Sequence, residues 1–122
     1  MLEAVRVKNL TKVGEPLFIN KDKLPQKELT TGVTTSLAWG EKIMLSFVKL
    51  NPNATFPSHS HPHEQMGFVL SGKLEVTIGN KSKLLKEGDV FLVPSGVEHG
   101  VKNLKSETQV LEIFSPPRED FK

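Results

Sequence analysis

The sequence predicts an all-β protein, a sandwich or barrel of short strands, and three observations indicate this fold class. Short apolar runs recur at intervals of roughly 8 to 12 residues, a spacing typical of such folds. Most of these runs end at glycine, proline, asparagine or serine, which favour turns. No longer stretch keeps the helical period of about 3.6 residues. With 122 residues, the chain has room for one domain and one core.

The domain organisation predicted from these runs has three parts. Residues 1–35 are expected to be N-terminal strands and loops that pack on the barrel or on a dimer partner, residues 36–115 form the barrel, and residues 116–122 form a tail. Within the barrel, residues 43–50 are apolar on both alternating faces, which predicts a strand between two sheets. The preceding Trp39 is expected to be a packing indole beside a strand end.

Further strands are predicted downstream of a histidine-rich segment. The candidates are residues 66–70, 74–78, 90–93 and 110–114. Leu74, Val76 and Ile78 alternate with polar residues, as expected of a strand with one buried face. Gly79-Asn80 follows directly and favours a tight hairpin.

Composition excludes some classes of function. The formal charge is +2 and the lysines are scattered, so the chain lacks the basic stripe of a nucleic-acid-binding protein. It also lacks a helical segment that could read DNA. The absence of cysteine excludes disulfides and thiolate metal sites. No apolar run approaches the length of a membrane helix or the core of a signal peptide, so we expect a cytoplasmic protein without membrane contact.

Four potential metal ligands, His59, His61, Gln65 and His99, lie in two short motifs. On a strand, alternate side chains share a face, so His59 and His61 would present a pair of imidazole donors. Gln65 follows a bend that Pro62 favours, and its carbonyl oxygen could be a third ligand. His99 would join from the second motif. Nitrogen and oxygen ligands suit divalent Zn, Ni, Fe, Mn or Co, so we expect a transition-metal cofactor.

The first motif resembles the first motif of the cupin family. That motif reads glycine, five residues, His-x-His, three or four residues, glutamate, six residues and glycine. The equivalent positions here are Asn53, His59, His61, Gln65 and Gly72. Asn53 replaces the opening glycine, and asparagine tolerates the left-handed backbone that such a turn needs. Gln65 replaces the glutamate and would leave the charge of the metal uncompensated by its protein ligands.

The second cupin motif is matched at every defined position. It reads glycine, five residues, Pro-x-Gly, two residues, histidine, three residues and asparagine. The corresponding residues are Gly88, Pro94, Gly96, His99 and Asn103. The resemblance implies a single-domain jelly-roll β-barrel, also called a double-stranded β-helix, with a metal held by the four ligands above.

The end of the last predicted strand resembles one subgroup, the KdgF-type cupins of pectin and alginate breakdown. These open unsaturated monouronates into linear keto sugars, and carry an acidic residue, a phenylalanine and an arginine at the spacing of Glu112, Phe114 and Arg118. This chain departs in having Glu112 where that subgroup has aspartate. The resemblance implies that Glu112 moves protons, Arg118 binds the substrate carboxylate and takes part in catalysis, and Phe114 forms an apolar wall of the substrate site. A carboxyl group among apolar strand residues should have a raised pKa.

Several alternatives remain open from the sequence. The site could belong to a cupin dioxygenase or another redox enzyme, or to a cupin that binds a small molecule without turnover. Glu112 and Arg118 could form a simple ion pair while Phe114 packs in the core. His63 is expected to face solvent. A homodimer follows if the first 30 residues add a strand to a neighbouring subunit, which would cover a sheet edge.

Overall fold

A computed structural model describes residues 17–122, and these form two facing antiparallel sheets. The strands are β1 Gln26–Thr30, β2 Val33–Trp39, β3 Met44–Leu50, β4 Thr55–His59, β5 Glu64–Ser71, β6 Lys73–Ile78, β7 Lys81–Lys86, β8 Val90–Val93, β9 His99–Asn103 and β10 Thr108–Ser115. The larger sheet has the order β1-β2-β3-β10-β5-β8, and the smaller sheet has the order β4-β9-β6-β7. The predicted all-β fold is therefore confirmed.

The core lies between the two sheets. The larger apolar cluster consists of Val33, Leu50, Ala54, Val69, Leu74, Val76, Leu85, Phe91, Val93 and Val110. A second cluster, made by Leu37, Trp39, Met44, Phe114 and Phe121, closes one end of the barrel. Trp39 is buried there, as predicted for a packing indole.

The strand predicted at residues 43–50 is β3, which lies in the middle of the larger sheet. Its inward side chains, such as Met44 and Leu50, are fully buried. Its outward side chains are only partly buried, because no second layer within residues 17–122 covers that face. The structure therefore differs from the expected strand between two sheets on its outer side.

Turn residues set the register of the strands that carry the two motifs. Asn53 has a φ of 64°, the left-handed conformation that its place in the first motif requires. Gly79 and Asn80 link β6 to β7 in a two-residue hairpin, as predicted. Asn103 is buried, and its side-chain amide donates to the backbone carbonyl of Leu50 while its oxygen accepts from the Thr108 hydroxyl. The asparagine of the second motif thus joins the end of β3 to the start of β10.

Two peripheral segments of the described residues, β1 and the tail of residues 116–122, contact the barrel. Residues 1–16 of the predicted 1–35 segment lie outside the described residues, but β1 pairs with β2 and so extends the larger sheet. At the other end, residues 116–122 form a turn in which the Phe121 N–H donates to the Arg118 carbonyl. Lys27 of β1 donates to the backbone carbonyl of Phe121. Among the described residues, no helix is long and apolar enough to cross a membrane.

Candidate metal centre and adjoining pocket

Three of the four predicted ligands form a histidine cluster at one end of the barrel. His59 ends β4 and is the direct antiparallel partner of His99, which begins β9. His61 lies two residues beyond the end of β4. One ligating nitrogen from each ring lies within 4.8 Å of the others. The cluster can therefore hold a metal ion.

The positions of His59 and His61 follow from a different local structure than the sequence predicted. The alternation of a strand was expected to place both on one face, but β4 stops at His59. His61 follows in an irregular segment before Pro62, and its carbonyl oxygen accepts from the Gly96 N–H. The turn of the second motif thus fixes the backbone of the first motif, and the ring centroids of His59 and His61 lie 5.4 Å apart.

Backbone carbonyls orient all three imidazoles in the same way. The Nδ1 atoms of His59, His61 and His99 lie 3.1, 3.1 and 2.9 Å from the carbonyl oxygens of Pro57, His63 and Val97. Because a carbonyl only accepts, each Nδ1 carries the proton and each Nε2 keeps a free lone pair. Histidines that bind metals are commonly held by such a hydrogen bond on the other ring nitrogen.

The environment also keeps two of these histidines neutral. Burial and the charge of Arg118 lower the pKa of His61 to about 4. Burial likewise lowers the pKa of His99 below its ordinary value. Both imidazoles are therefore neutral near pH 7, the form that binds metals.

Gln65, the fourth predicted ligand, faces the cluster from β5. Its Oε1 lies 3.0 Å from Nε2 of His61, and its side-chain amide donates to Oε1 of Glu112 at 2.6 Å. With the His61 proton on Nδ1, two hydrogen-bond acceptors face each other at 3.0 Å. Within residues 17–122 the buried Nε2 of His99 also has no hydrogen-bond partner. A cation bound by these atoms satisfies both features, so the four residues fit a transition metal.

Glu112 projects from β10 into the same region. It is partly buried, and its removal from water raises its pKa to about 7, although the Gln65 hydrogen bond and the charge of Arg118 act in the opposite direction. The raised pKa agrees with the sequence prediction. The short contact also gives a reason for the glutamine of the first motif, since a glutamate at position 65 would place a second carboxylate against Glu112.

Arg118 reaches the pocket from the tail and is 6% exposed. Its Nε and Nη2 donate to the carboxylate of Asp120 at 3.3 and 2.8 Å. The guanidinium carbon lies 3.9 Å from the ring centroid of Phe121 and 5.2 Å from that of Phe114. In the described part of the chain, Arg118 and Glu112 share no hydrogen bond or ion pair, so the simple ion pair considered from the sequence is not formed. Phe114 does pack in the core, and its edge also contacts His61.

A cavity of about 40 Å³ joins these groups inside the barrel. Its polar lining residues are Ser46, His59, Gln65, His99, Glu112 and Arg118. Most of the remaining wall is apolar, including Phe114 and Phe121. The structure therefore brings three predicted metal ligands and the predicted catalytic residues to one cavity. His61 is not among its lining residues, but its ring centroid lies 4.8 Å from that of His99.

Three residues beside the site were not predicted in the positions that the structure gives them. Asp120 and Phe121 hold Arg118, and the sequence signal available was an acidic residue and a lone aromatic residue in an otherwise polar tail. His63 was expected to face solvent. It is instead partly buried with its ring 5.4 Å from that of His61, and within the described residues its buried Nδ1 has no hydrogen-bond partner.

The chain is similar to known proteins in both sequence and structure, and the similarities below agree with one another. The family model described as "Cupin domain" matches residues 46–114. The pectin degradation protein KdgF of Dickeya dadantii is 31% identical over 102 residues, which covers 82% of this chain and 93% of that protein. The structure of KdgF from a Halomonas species superposes with a TM-score of 0.83 at 27% identity, covering 88% of this chain and all of that one. An RmlC-like cupin from Shewanella frigidimarina superposes with a TM-score of 0.83 at 26% identity, covering 88% and 97% of the two chains.

Proposed function

The chain belongs to the cupin family, and we propose that it is a metal-dependent enzyme that opens the ring of unsaturated monouronates. The observation that carries this proposal is one cavity that joins a histidine cluster, a carboxyl group held by Gln65 and a buried arginine. The similarity to KdgF proteins supports the substrate class. The type of reaction is an isomerisation, in which every atom of the sugar is retained.

A divalent transition metal bound by His59, His61, Gln65 and His99 would supply a Lewis acid that polarises substrate oxygens. Glu112 performs the proton transfers. As a carboxylate it accepts the proton of the hemiacetal hydroxyl while the ring C–O bond breaks, which leaves a carbonyl and an enolate. It then returns that proton to the enolate carbon, and the enolate becomes a ketone. A pKa near neutrality suits a group that must both accept and donate a proton.

Arg118 binds the substrate carboxylate in this proposal, and Asp120 positions it. Asp120 occupies Nε and Nη2, while within residues 17–122 no hydrogen bond is formed by Nη1. The ring centroids of Phe121 and Phe114 lie 3.9 and 5.2 Å from the guanidinium carbon, so both rings confine the side chain. A guanidinium held in this way has lost most of its rotamer freedom before the ligand arrives, which favours binding of a second carboxylate.

The cavity is smaller than the proposed substrate requires. A volume of about 40 Å³ accommodates an ion and a few waters, whereas pockets for small organic ligands are typically about 300–1,000 Å³. The wall that can yield is the Phe121 side chain, because Phe121 belongs to a short turn rather than to a sheet. We therefore infer that Phe121 moves outward when a sugar acid enters, while Asp120 keeps its hydrogen bonds to Arg118.

The proposal is tested by metal analysis of the purified protein together with the loss of unsaturated-uronate absorbance. Stoichiometric metal and turnover that disappears in His99→Ala are expected. Glu112→Gln should retain the metal but lose turnover, which separates proton transfer from metal binding. Bound metal without turnover of any unsaturated uronate would overturn the proposal, and oxygen consumption would then favour the redox alternative. The cytoplasmic location stays a prediction, which cell fractionation checks.

A further inference from the structure

Ser46 lies in the wall of the cavity, beside the residue that transfers protons in the proposed reaction. It is the direct partner of Glu112 across β3 and β10, and both side chains line the cavity. Directly opposite side chains on one face of a sheet have Cβ atoms about 4.5–5.5 Å apart. Ser46 is fully buried, and within residues 17–122 it is the one hydroxyl-bearing residue that lines this cavity.

The two sides of Glu112 present different groups to a ligand. On the β5 side, its Oε1 accepts from Gln65, which also faces the histidine cluster. Ser46 lies on the β3 side, and in the described part of the chain it forms no hydrogen bond with Glu112. A ligand that binds the metal through its oxygens and contacts Glu112 therefore extends towards β3. The polar group that meets it there is the hydroxyl of Ser46.

A second buried hydroxyl stands behind Ser46. Oγ1 of Thr35 on β2 lies 2.6 Å from Oγ of Ser46, and only one of the two hydroxyls can donate in this contact. If Ser46 donates, the acceptor left for Thr35 is the Ser36 carbonyl at 3.5 Å, which is longer than the usual O–H···O distance of about 2.5–3.0 Å. If Thr35 donates, the proton of Ser46 points into the cavity. The distances favour Thr35 as the donor and a ligand as the acceptor of Ser46.

The packing of the core does not require these two hydroxyls. Val48, the direct partner of Thr35, packs against the larger apolar cluster, and Val110 belongs to it. Valine at position 35 and alanine at position 46 would fill nearly the same volumes. Replacing both partners of a buried hydrogen bond by apolar groups of similar shape can be neutral or stabilising. A ligand therefore accounts for the hydroxyl pair better than the stability of the fold does.

We propose that Ser46 is a further substrate-binding residue, which donates a hydrogen bond to a hydroxyl of the sugar acid that does not react, and that Thr35 positions it. This role rests on the proposed function and concerns the part of the substrate that the site selects. An unsaturated monouronate carries hydroxyls that take no part in ring opening, and epimers at these carbons direct the hydroxyl differently. A hydrogen bond from Ser46 makes the site select one epimer, because the other leaves the buried donor unpaired.

The first experiment measures kcat and KM of the metal-loaded protein for two unsaturated monouronates that are epimers at a non-reacting hydroxyl. Wild type should prefer one of them. Ser46→Ala should raise the KM for the preferred epimer about 3–10-fold, the effect of one hydrogen bond between neutral groups, with little change in kcat. The ratio of the two kcat/KM values should move towards one. Ser82→Ala is the matched control, since its hydroxyl lies 2.7 Å from that of Thr77 at an exposed position, and it should change neither constant.

A second measurement separates ligand binding from packing. Ser46→Ala/Thr35→Val should equal wild type in its free energy of unfolding, yet have the raised KM of Ser46→Ala. Thr35→Val alone should raise KM in part, and Thr35→Ser, which keeps the hydroxyl, should restore it. An epimer ratio that is the same in wild type and Ser46→Ala, or a double variant that loses stability and keeps the wild-type KM, would overturn the role of Ser46 alone. Failure of wild type to convert either epimer would overturn the proposed function and this role with it.

Discussion

The contact between Gln65 and Glu112 makes a prediction about position 65 that can be developed quantitatively. Gln65 Nε2 lies 2.6 Å from Glu112 Oε1, which is a hydrogen bond with the amide as donor. The change Gln65→Glu replaces the donor with a carboxylate oxygen. Two carboxylates at that distance would repel by about 6 kcal/mol at an effective dielectric constant of about 20. We therefore expect the folded variant to keep one proton shared between the two groups.

The cost of keeping that proton can be estimated for the metal-free protein at pH 8. A glutamate has an ordinary pKa of 4.5, and each pH unit above it costs about 1.4 kcal/mol, so retaining the proton costs about 5 kcal/mol. A charge-assisted hydrogen bond between the carboxyl groups returns about 1.5–3 kcal/mol. Gln65→Glu should therefore lower the free energy of unfolding by about 2–3.5 kcal/mol. The deficit should shrink as the pH falls towards 4.5.

A double-mutant cycle isolates this contact from other effects of the substitution. Gln65→Glu/Glu112→Gln reverses the hydrogen bond, with the amide now on β10, and should recover most of the lost stability. Glu112→Gln alone should be at least as stable as wild type at pH 8, since an amide oxygen still accepts from Gln65 and the buried charge that raises the pKa of Glu112 is removed. Urea unfolding of the four proteins in EDTA at pH 8 gives the coupling free energy. A coupling below about 0.5 kcal/mol would show that Glu112 is not the reason for glutamine at position 65.

Three further predictions concern the metal, the proton carrier and the tail. Removal of the metal with EDTA should lower Tm by about 10 °C. The reference is protein in a free metal concentration of about 100 times the Kd of the metal, where binding contributes about 2.7 kcal/mol to the free energy of unfolding. His99→Ala should abolish the difference. Glu112→Gln should reduce kcat at least about 100-fold with unchanged metal content. Asp120→Asn should raise KM for an unsaturated uronate about 10-fold with a smaller change in kcat, and Asp120→Glu should recover part of the loss. Burial raises the pKa of Asp120, but the hydrogen bond and the charge of Arg118 outweigh burial and hold this pKa below 3.8. The Asp120 carboxylate therefore stabilises the fold at neutral pH. The difference in Tm between wild type and Asp120→Asn should persist at neutral pH and disappear only below pH 3.8.

The histidine cluster could be predicted from the sequence because its geometry depends on local turns. Asn53 adopts a positive φ before β4, and Gly72 adopts a φ of 88° where an added Cβ would lie 2.4 Å from the Thr108 hydroxyl oxygen. Such positions restrict the residue type, and so the motifs that contain them are readable in a single sequence. The strands on which His59 and His99 meet follow from those turns. His61 lies in the cluster, as the sequence predicted. The prediction assumed that the strand continues to His61, whereas β4 ends two residues earlier, at His59.

The surroundings of Arg118 could not be predicted because they depend on contacts between distant segments. Phe121 is buried since its backbone carbonyl meets Lys27 of β1 and its ring meets Phe114 of β10. The same applies to β2, where the polar Thr35 is buried because its hydroxyl lies 2.6 Å from that of Ser46. A pattern of apolar residues gives no indication of a hydrogen bond formed 11 residues away.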